Sequence, residues 1–223
     1  HPYDGYDKIY KWLIENDKYY NFCISYKDYE TYKRDGANVD KLLVCPNGAQ
    51  HRDYHFTEKP LKPSWTLYLG RIEPRKRQYL YQDIYGVEFV GKYTDTTSFD
   101  RNRDCYLGQW EHEYKLQHVT DYGNMMLLSD GENGTPLVIK EALVAGLGVV
   151  VSKYAAHDLD TSLPFVTVIP DDKWEDIEYV QMKLIENRKI SVTMRKEIRQ
   201  YGVDNFSWQK LVKTYVENIE GME

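Results

Sequence analysis

The sequence contains few cysteines, and their spacing fits neither a disulfide framework nor a zinc site. The three cysteines, Cys23, Cys45 and Cys105, are too few and too scattered along the 223 residues for a disulfide-stapled fold. No CxxC pair is present, and such a pair is the usual signature of a structural zinc site. We therefore expect reduced thiols, no bound metal and a cytoplasmic location.

Long apolar runs and an excess of positive charge are also missing. The apolar runs are far shorter than the roughly 20 residues that a membrane-spanning helix needs, and no signal peptide is visible. Acidic residues outnumber basic residues by 35 to 29, which gives a formal net charge of −6. This balance argues against a nucleic acid as partner. Because the chain begins at His1 and not at methionine, we expect that upstream sequence is missing.

What the sequence does show is an alternation of short apolar strands with helices. The predicted strands are residues 21–24, 42–45, 65–69, 87–90, 105–107, 125–128, 147–151 and 165–169. The predicted helices are residues 9–17, 26–34, 74–85, 111–120, 137–146, 174–187, 191–201 and 207–219. Such alternation is typical of an α/β protein, so we predict a Rossmann-like parallel sheet with helices on both faces.

A polar segment divides this pattern. The length is compatible with one large domain or with one domain plus part of another. Residues 49–63 are rich in His, Lys and Pro and have little apolar periodicity, which favours a linker. We therefore expect residues 1–48 to be the remnant of one domain and residues 64–204 to form a second. Residues 205–223 would form a helix that packs back towards the N-terminal part.

A glycine-containing loop, residues 129–136, lies between a predicted buried strand and a predicted helix. Gly134 would let a ligand approach the backbone closely, and Pro136 suits the first helical position. The amides of Thr135, Leu137 and Val138 would then point towards an anion, helped by the helix dipole. The alternative is an ordinary polar loop between a strand and a helix.

Another loop, residues 70–76, also follows a strand and also begins a helix. Because parallel strands end at the same edge of a sheet, both loops should lie together. Beside Gly70, Arg71 and Lys76 could supply the positive charge that a diphosphate needs, Arg71 as a bidentate donor and Lys76 as a point charge. The alternative is a solvated basic helix start, since Arg75 and Arg77 are close by.

These motifs, taken in order, resemble those of the retaining group 1 (family 4) glycosyltransferases of the GT-B fold. Residues 129–151 resemble the donor-site signature, whose second half is matched by Glu141 to Gly146. Residues 70–76 resemble the family's Gly-Arg-to-Lys motif, and residues 106–108 its strand beside the nucleobase. The resemblance covers nearly the whole chain in the right order.

The resemblance implies a C-terminal donor-binding domain together with the end of an N-terminal, acceptor-side domain. The implied enzyme moves a sugar from a UDP- or GDP-sugar to a glycan, a lipid or another small acceptor, with retention of configuration. The nucleotide sugar is then a substrate, and no separate cofactor is expected. Peripheral membrane contact through the missing domain is also compatible with the family. The alternative is a nucleotide-sugar-binding module or a truncated fragment without turnover.

The resemblance also implies roles for individual residues. Arg71 and Lys76, which follow Gly70, would hold the diphosphate, Glu132 the donor sugar and Glu141 the ribose hydroxyls. Gln109 and Trp110 would line the base. The backbone of Gly134, Thr135, Pro136 and Leu137 would contact the diphosphate, through amide N–H groups at every position except Pro136.

The spacing departs from the family pattern at one point. The family has seven residues between its two glutamates, whereas eight separate Glu132 from Glu141, and Asn133 stands at the seven-residue position. Either the loop is one residue longer or Asn133 replaces the first glutamate. His1 lies at a plausible distance to be the family's catalytic histidine, or it is a residue of the terminus without a role.

Overall fold

The computed structural model describes residues 6–94, 98–132 and 134–221. Within these residues the α-helices are α1 (Tyr6–Glu15), α2 (Tyr26–Arg34), α3 (His112–His118), α4 (Leu137–Val144), α5 (Ile177–Thr193), α6 (Arg195–Phe206) and α7 (Trp208–Glu220). The strands are β1 (Asn21–Cys23), β2 (Leu42–Val44), β3 (Lys62–Leu69), β4 (Val87–Val90), β5 (Tyr122–Leu127), β6 (Gly148–Ser152) and β7 (Val166–Ile169).

Five of these strands form one parallel sheet in the order β4-β3-β5-β6-β7. The central pair is in register with Met125 opposite Val149 and Leu127 opposite Val151. All four side chains are fully buried, because helices cover both faces of the sheet. Burial on both faces explains why these strands appear in the sequence as continuous apolar runs. The predicted Rossmann-like α/β class is confirmed.

A buried polar network joins the sheet to α5. Thr66 of β3 donates a hydrogen bond to the side-chain oxygen of Asn124 in β5 (2.6 Å). The Asn124 amide in turn donates to the side-chain oxygen of Asn187 in α5 (2.9 Å). Each polar group is therefore paired within the core, which fixes α5 against the middle of the sheet.

The structure corrects two predicted elements. Residues 74–85 do not form one helix but two short 3₁₀ helices, Pro74–Lys76 and Gln78–Tyr81. Arg77 between them is left-handed (φ 56°), its guanidinium lies 4.0 Å from the ring centroid of Trp174, and it pairs with Asp130 at 3.5 Å. Residues 105–107 do not form a strand, because a single bridge joins Tyr106 to Phe89.

The first fifth of the chain forms a smaller parallel sheet from β1 and β2, with Cys23 opposite Val44. Helix α7 contacts the segment that follows β2. The Trp208 amide donates to the Ala49 carbonyl (3.1 Å), and the Tyr215 hydroxyl donates to the Pro46 carbonyl. Strand β3 begins at Lys62, inside the predicted linker. The division of the chain into domains stays a prediction.

The cysteines carry no disulfide, and the thiols of Cys23 and Cys45 are buried. Burial raises the pKa of the Cys23 thiol to about 11. Throughout residues 6–94, 98–132 and 134–221, none of the helices combines the length and apolarity needed to cross a bilayer.

Candidate functional site

The loop after β3 is held in place by its own residues and by the end of β4. A Cβ atom built on Gly91 would lie 1.9 Å from the carbonyl oxygen of Gly70, so only glycine fits there. The Gln78 amide group donates to the Arg71 carbonyl (2.8 Å), while its oxygen accepts from the Glu73 amide (3.3 Å). The backbone from residue 70 to residue 76 is therefore held by contacts within the loop, with Gln78 and with the end of β4.

The Tyr68 hydroxyl joins this loop to the end of β5. Tyr68 is fully buried; its hydroxyl donates to the Lys76 carbonyl and accepts from the Leu128 amide (3.1 Å). Burial raises the pKa of Tyr68 well above its usual value, so the hydroxyl keeps its proton. One side chain thus holds the ends of both loops at the same sheet edge, where the parallel topology had predicted them.

Charged side chains from the two loops meet at Glu132. The Lys76 ammonium lies 3.5 Å from the Glu132 carboxylate, and the Arg75 guanidinium lies 3.3 Å from it. The side chains of Lys76 and Glu132 are only 12% and 14% exposed. Arg71 lies further out, 64% exposed, with its guanidinium 3.9 Å from Glu73. The structure therefore brings Lys76 and Glu132 together, and leaves Arg71 at the rim.

The N-terminus of α4 is partly occupied by a carboxylate that the sequence analysis did not single out. The helix begins at Leu137. Pro136 is therefore the N-cap residue and not, as predicted, the first helical residue. The Thr135 amide donates to the Asp158 carboxylate (3.1 Å), and the Asp158 amide donates to the Thr135 hydroxyl (3.1 Å). Asp158 thus already takes one of the amides predicted to face an anion.

The N-terminal part of the chain closes over this loop. The Lys27 ammonium in α2 donates to the Glu132 carbonyl (3.0 Å), and a Cβ on Gly134 would lie 2.8 Å from the Cβ of Ser25. A cavity of about 210 Å³ lies between the two parts, lined by Ile24, Asn47, Glu132, Gly134, Thr135, Pro136, Leu137 and Lys140. The Lys140 ammonium donates to the Asn47 carbonyl (3.0 Å), and burial lowers its pKa.

Glu141 lies in α4, below the loop, and is nearly buried. One carboxylate oxygen accepts from the Lys115 ammonium (2.8 Å), and the side chain is 9% exposed. The other oxygen is buried, and no group in the described part of the chain meets hydrogen-bond geometry with it. The same holds for the adjacent Tyr54 hydroxyl. Burial and the charge of Glu141 raise the pKa of Tyr54 well above its usual value.

The two residues predicted for the base lie beside α3. Gln109 and Trp110 line a cavity of about 510 Å³ together with Lys62, Leu107, Glu111, Tyr114, His118, Asp121 and Tyr122. The ring centroid of Trp110 lies 5.2 Å from that of Tyr114 and 6.2 Å from that of Tyr122. None of the described residues of the loop 129–136 lines this cavity. The role of Gln109 and Trp110 stays a prediction.

Two predicted residues, His1 and Asn133, lie outside the described residues. The choice between Glu132 and Asn133 as the sugar contact therefore also stays a prediction. Among the residues that are described, no group of three or more His, Cys, Asp or Glu side chains is placed to hold a metal ion.

The chain resembles solved proteins in structure and not in sequence. No family model and no curated protein matches the sequence. Alr3699/HepE of Anabaena, solved with UDP-glucose, superposes with a TM-score of 0.68 at 14% identity over 90% of this chain and 63% of that one. Sucrose-phosphate synthase of Thermosynechococcus elongatus gives 0.71 at 15% identity over 96% and 60%.

A third similar structure is the lipopolysaccharide outer core galactosyltransferase WaaB, with a TM-score of 0.68 at 18% identity over 92% of this chain and 62% of that one. The chain thus spans less than two thirds of the length of each of these three proteins. At such low identities the likeness establishes the fold. The chain has the Rossmann-like α/β fold of the GT-B glycosyltransferases.

Proposed function

We propose that this chain binds a nucleotide diphosphate sugar at the carboxyl edge of its large sheet. We further propose that it belongs to an enzyme that transfers the sugar to an acceptor with retention of configuration. The observation that carries the proposal is the meeting of Lys76 and Arg75 with Glu132 beside the start of α4. The fold supports it, because HepE, which shares that fold, was solved with UDP-glucose.

The diphosphate would bind between the two loops. Lys76 and Arg71 would neutralise its charge, together with those amides from Gly134 to Leu137 that Asp158 does not take. The ion pair between Lys76 and Glu132 would keep the Lys76 ammonium oriented while no donor is bound. Stabilising the negative charge that develops on the departing nucleotide would be the main catalytic contribution of these groups.

The remaining donor contacts of the proposal are those that the family resemblance implies. Glu132, or Asn133 in its place, would contact the donor sugar, and Glu141 would accept from the ribose hydroxyls. Gln109 and Trp110 would line the base. A diphosphate, a sugar and a base supply all the contacts invoked, so the proposal includes no separate cofactor.

A second candidate function is a donor-binding module without turnover of its own. The chain spans only about three fifths of the length of each of the three similar proteins, so transfer to an acceptor by this chain stays a proposal. We propose that residues 1–48 end an acceptor-side domain and that residues 205–223 pack back onto it. The acceptor (a glycan, a lipid or another small molecule) and any contact with a membrane surface would then depend on the rest of that domain.

Ligand-dependent stability tests the donor site directly. A ligand that binds only the folded state must raise the melting temperature. We expect UDP or GDP and the corresponding sugar nucleotide to raise it, with free phosphate and uncharged nucleosides much less effective. Release of the nucleoside diphosphate from the sugar nucleotide, with and without added acceptors, separates the enzyme from the binding module. If UDP, GDP, ADP and their sugars all leave the melting temperature unchanged, the proposal is wrong.

A further inference from the structure

Glu141 is supported by two side chains that no sequence motif indicates. An ionised carboxylate is unfavourable inside a protein unless a charge or hydrogen-bond donor compensates it. Lys115 supplies the charge, with its ammonium 2.8 Å from one carboxylate oxygen and its own side chain 19% exposed. Tyr54, which is 3% exposed, lies beside the same carboxylate. The Lys115 ammonium also lies 5.7 Å from the centre of the Tyr54 ring.

The two carboxylate oxygens of Glu141 are used differently. The first is fixed by Lys115. Among the described residues, the second oxygen has no donor and the Tyr54 hydroxyl has no acceptor of strict hydrogen-bond geometry, and both atoms are buried. Fixing the first oxygen sets the plane of the carboxylate, and that oxygen keeps a further lone pair for an O–H donor. The Tyr54 hydroxyl lies beside this carboxylate and is the O–H donor that the fold itself supplies to it.

A backbone hydrogen bond connects the segments that contain Lys115 and Tyr54, and a ring contact connects α3 with Trp110. The amide of His55, next to Tyr54, donates to the carbonyl of Leu116, next to Lys115 (2.9 Å). One residue before Lys115 in α3, the Tyr114 ring packs against Trp110. A shift of α3 would therefore move the Trp110 side chain and the Glu141 carboxylate together.

We propose that Lys115 and Tyr54 are positioning residues that orient Glu141 for the ribose hydroxyls and link this contact, through α3, to the base. The inference rests on the proposed function, because it takes Glu141 as the ribose contact. It assigns to the two residues an effect on the choice between ribose and deoxyribose. A purely structural ion pair would change stability without changing that choice.

The experiment compares calorimetric affinities for UDP and 2′-deoxy-UDP (or GDP and 2′-deoxy-GDP, if the guanine nucleotide binds). The variants are Lys115→Met, Lys115→Arg and Tyr54→Phe. Lys196→Met is the matched control, because Lys196 pairs with Glu58 at 2.9 Å on the surface. Tyr85→Phe is the control for the hydroxyl, since Tyr85 is 82% exposed.

We expect Lys115→Met to reduce the ratio of ribose to deoxyribose affinity about tenfold, which corresponds to about 1.4 kcal/mol. Tyr54→Phe should reduce the ratio to a smaller extent, Lys115→Arg should largely preserve it, and both controls should leave it unchanged. If Lys115→Met does not fold, the Tyr54→Phe and Lys115→Arg proteins still decide the question. Unchanged discrimination in variants that bind the nucleotide overturns the inference and leaves the donor site intact. Failure of the unaltered chain to bind any nucleotide overturns the proposed function as well.

Discussion

The two loops at the carboxyl edge of the sheet are held by different means. The loop after β3 is fixed locally, by the close approach of Gly70 to Gly91 and by the Gln78 side chain. The loop after β5 is held by side chains from elsewhere, namely Arg75 of the first loop, Lys27 of α2 and Asp158 beyond β6. The first loop is a rigid base, whereas the second depends on distant parts of the chain.

This difference decides how each loop should respond to change. The hydrogen bond from Lys27 to Glu132 spans 105 residues, and the one from Tyr68 to Lys76 spans eight. Alterations in the first loop should therefore affect the stability of the whole sheet. Alterations at the outer supports of the second loop should affect ligand binding more than stability. The following predictions test this contrast, beginning with the largest effect.

The largest effect is expected from Gly91→Ala. A Cβ atom at this position would lie 1.9 Å from the Gly70 carbonyl oxygen, so the backbone of the first loop must move. We expect the free energy of unfolding to fall by about 3 kcal/mol or more, as for other substitutions that overlap with backbone. Denaturant unfolding measures it.

The matched control is Gly131→Ala in the second loop. Gly131 also has a positive φ (73°), but a Cβ there would meet nothing within 4 Å. Only the left-handed backbone is then penalised, at about 1–2 kcal/mol. Equal losses in the two variants would mean that the first loop is no more rigid than the second.

The next effect is on ligand binding and concerns Lys76→Ala. If the Lys76 ammonium contacts the diphosphate, its loss should weaken binding of the nucleoside diphosphate by about 1.5–3 kcal/mol, the range for a hydrogen bond to a charged group. Calorimetry with UDP or GDP measures the change. Lys92→Ala is the control, because Lys92 is an exposed lysine on the neighbouring loop. An affinity that does not change in the Lys76 variant would remove this lysine from the site.

The sequence predicted the sheet well because its central strands are buried on both faces. Met125 and Val149 lie in runs that no helix periodicity interrupts, so strand is the simplest interpretation. The same reasoning placed Lys76 and Glu132 at one edge, since parallel strands end together. The helix predicted for residues 74–85 was wrong, because Arg77 is held left-handed by contacts with Trp174 and Asp130 that the local sequence does not contain.

The supporting residues of the site could not be predicted in the same way. Tyr54 falls in the segment interpreted as a linker, and Lys115 appears as one of several charged residues on a short helix. Asp158 lies 23 residues beyond Thr135, with which it exchanges hydrogen bonds. Each becomes significant only when the fold brings it to a second residue. Single positions in a sequence do not carry this pairing information.

A smaller effect is expected from Tyr68→Phe, which tests the connection between the two loops. The substitution leaves the Leu128 amide and the Lys76 carbonyl without their shared hydroxyl. We expect a loss of about 1–2 kcal/mol in the free energy of unfolding, typical of a buried group left unpaired. Tyr26→Phe, at a tyrosine that is 70% exposed, should change little. A Tyr68 variant as stable as its parent would show that the loops are not coupled through this hydroxyl.

The smallest effect is expected from Lys27→Ala, which removes an outer support of the second loop. The Lys27 ammonium donates to the Glu132 carbonyl (3.0 Å) from a partly buried position in α2. Because the contact is only partly buried, water can replace Lys27 at the Glu132 carbonyl, and the loss should cost less than about 1 kcal/mol of stability. The Glu132 side chain, which pairs with Lys76, would nevertheless gain freedom. We therefore expect a two- to threefold change in nucleoside diphosphate affinity, about 0.4–0.7 kcal/mol, with a nearly constant melting temperature. Lys33→Ala, on the same helix and paired with Glu30 at 3.6 Å, is the control. If Lys27→Ala lowers the melting temperature as much as Tyr68→Phe does, the second loop is part of the rigid core, and the contrast between the loops is wrong.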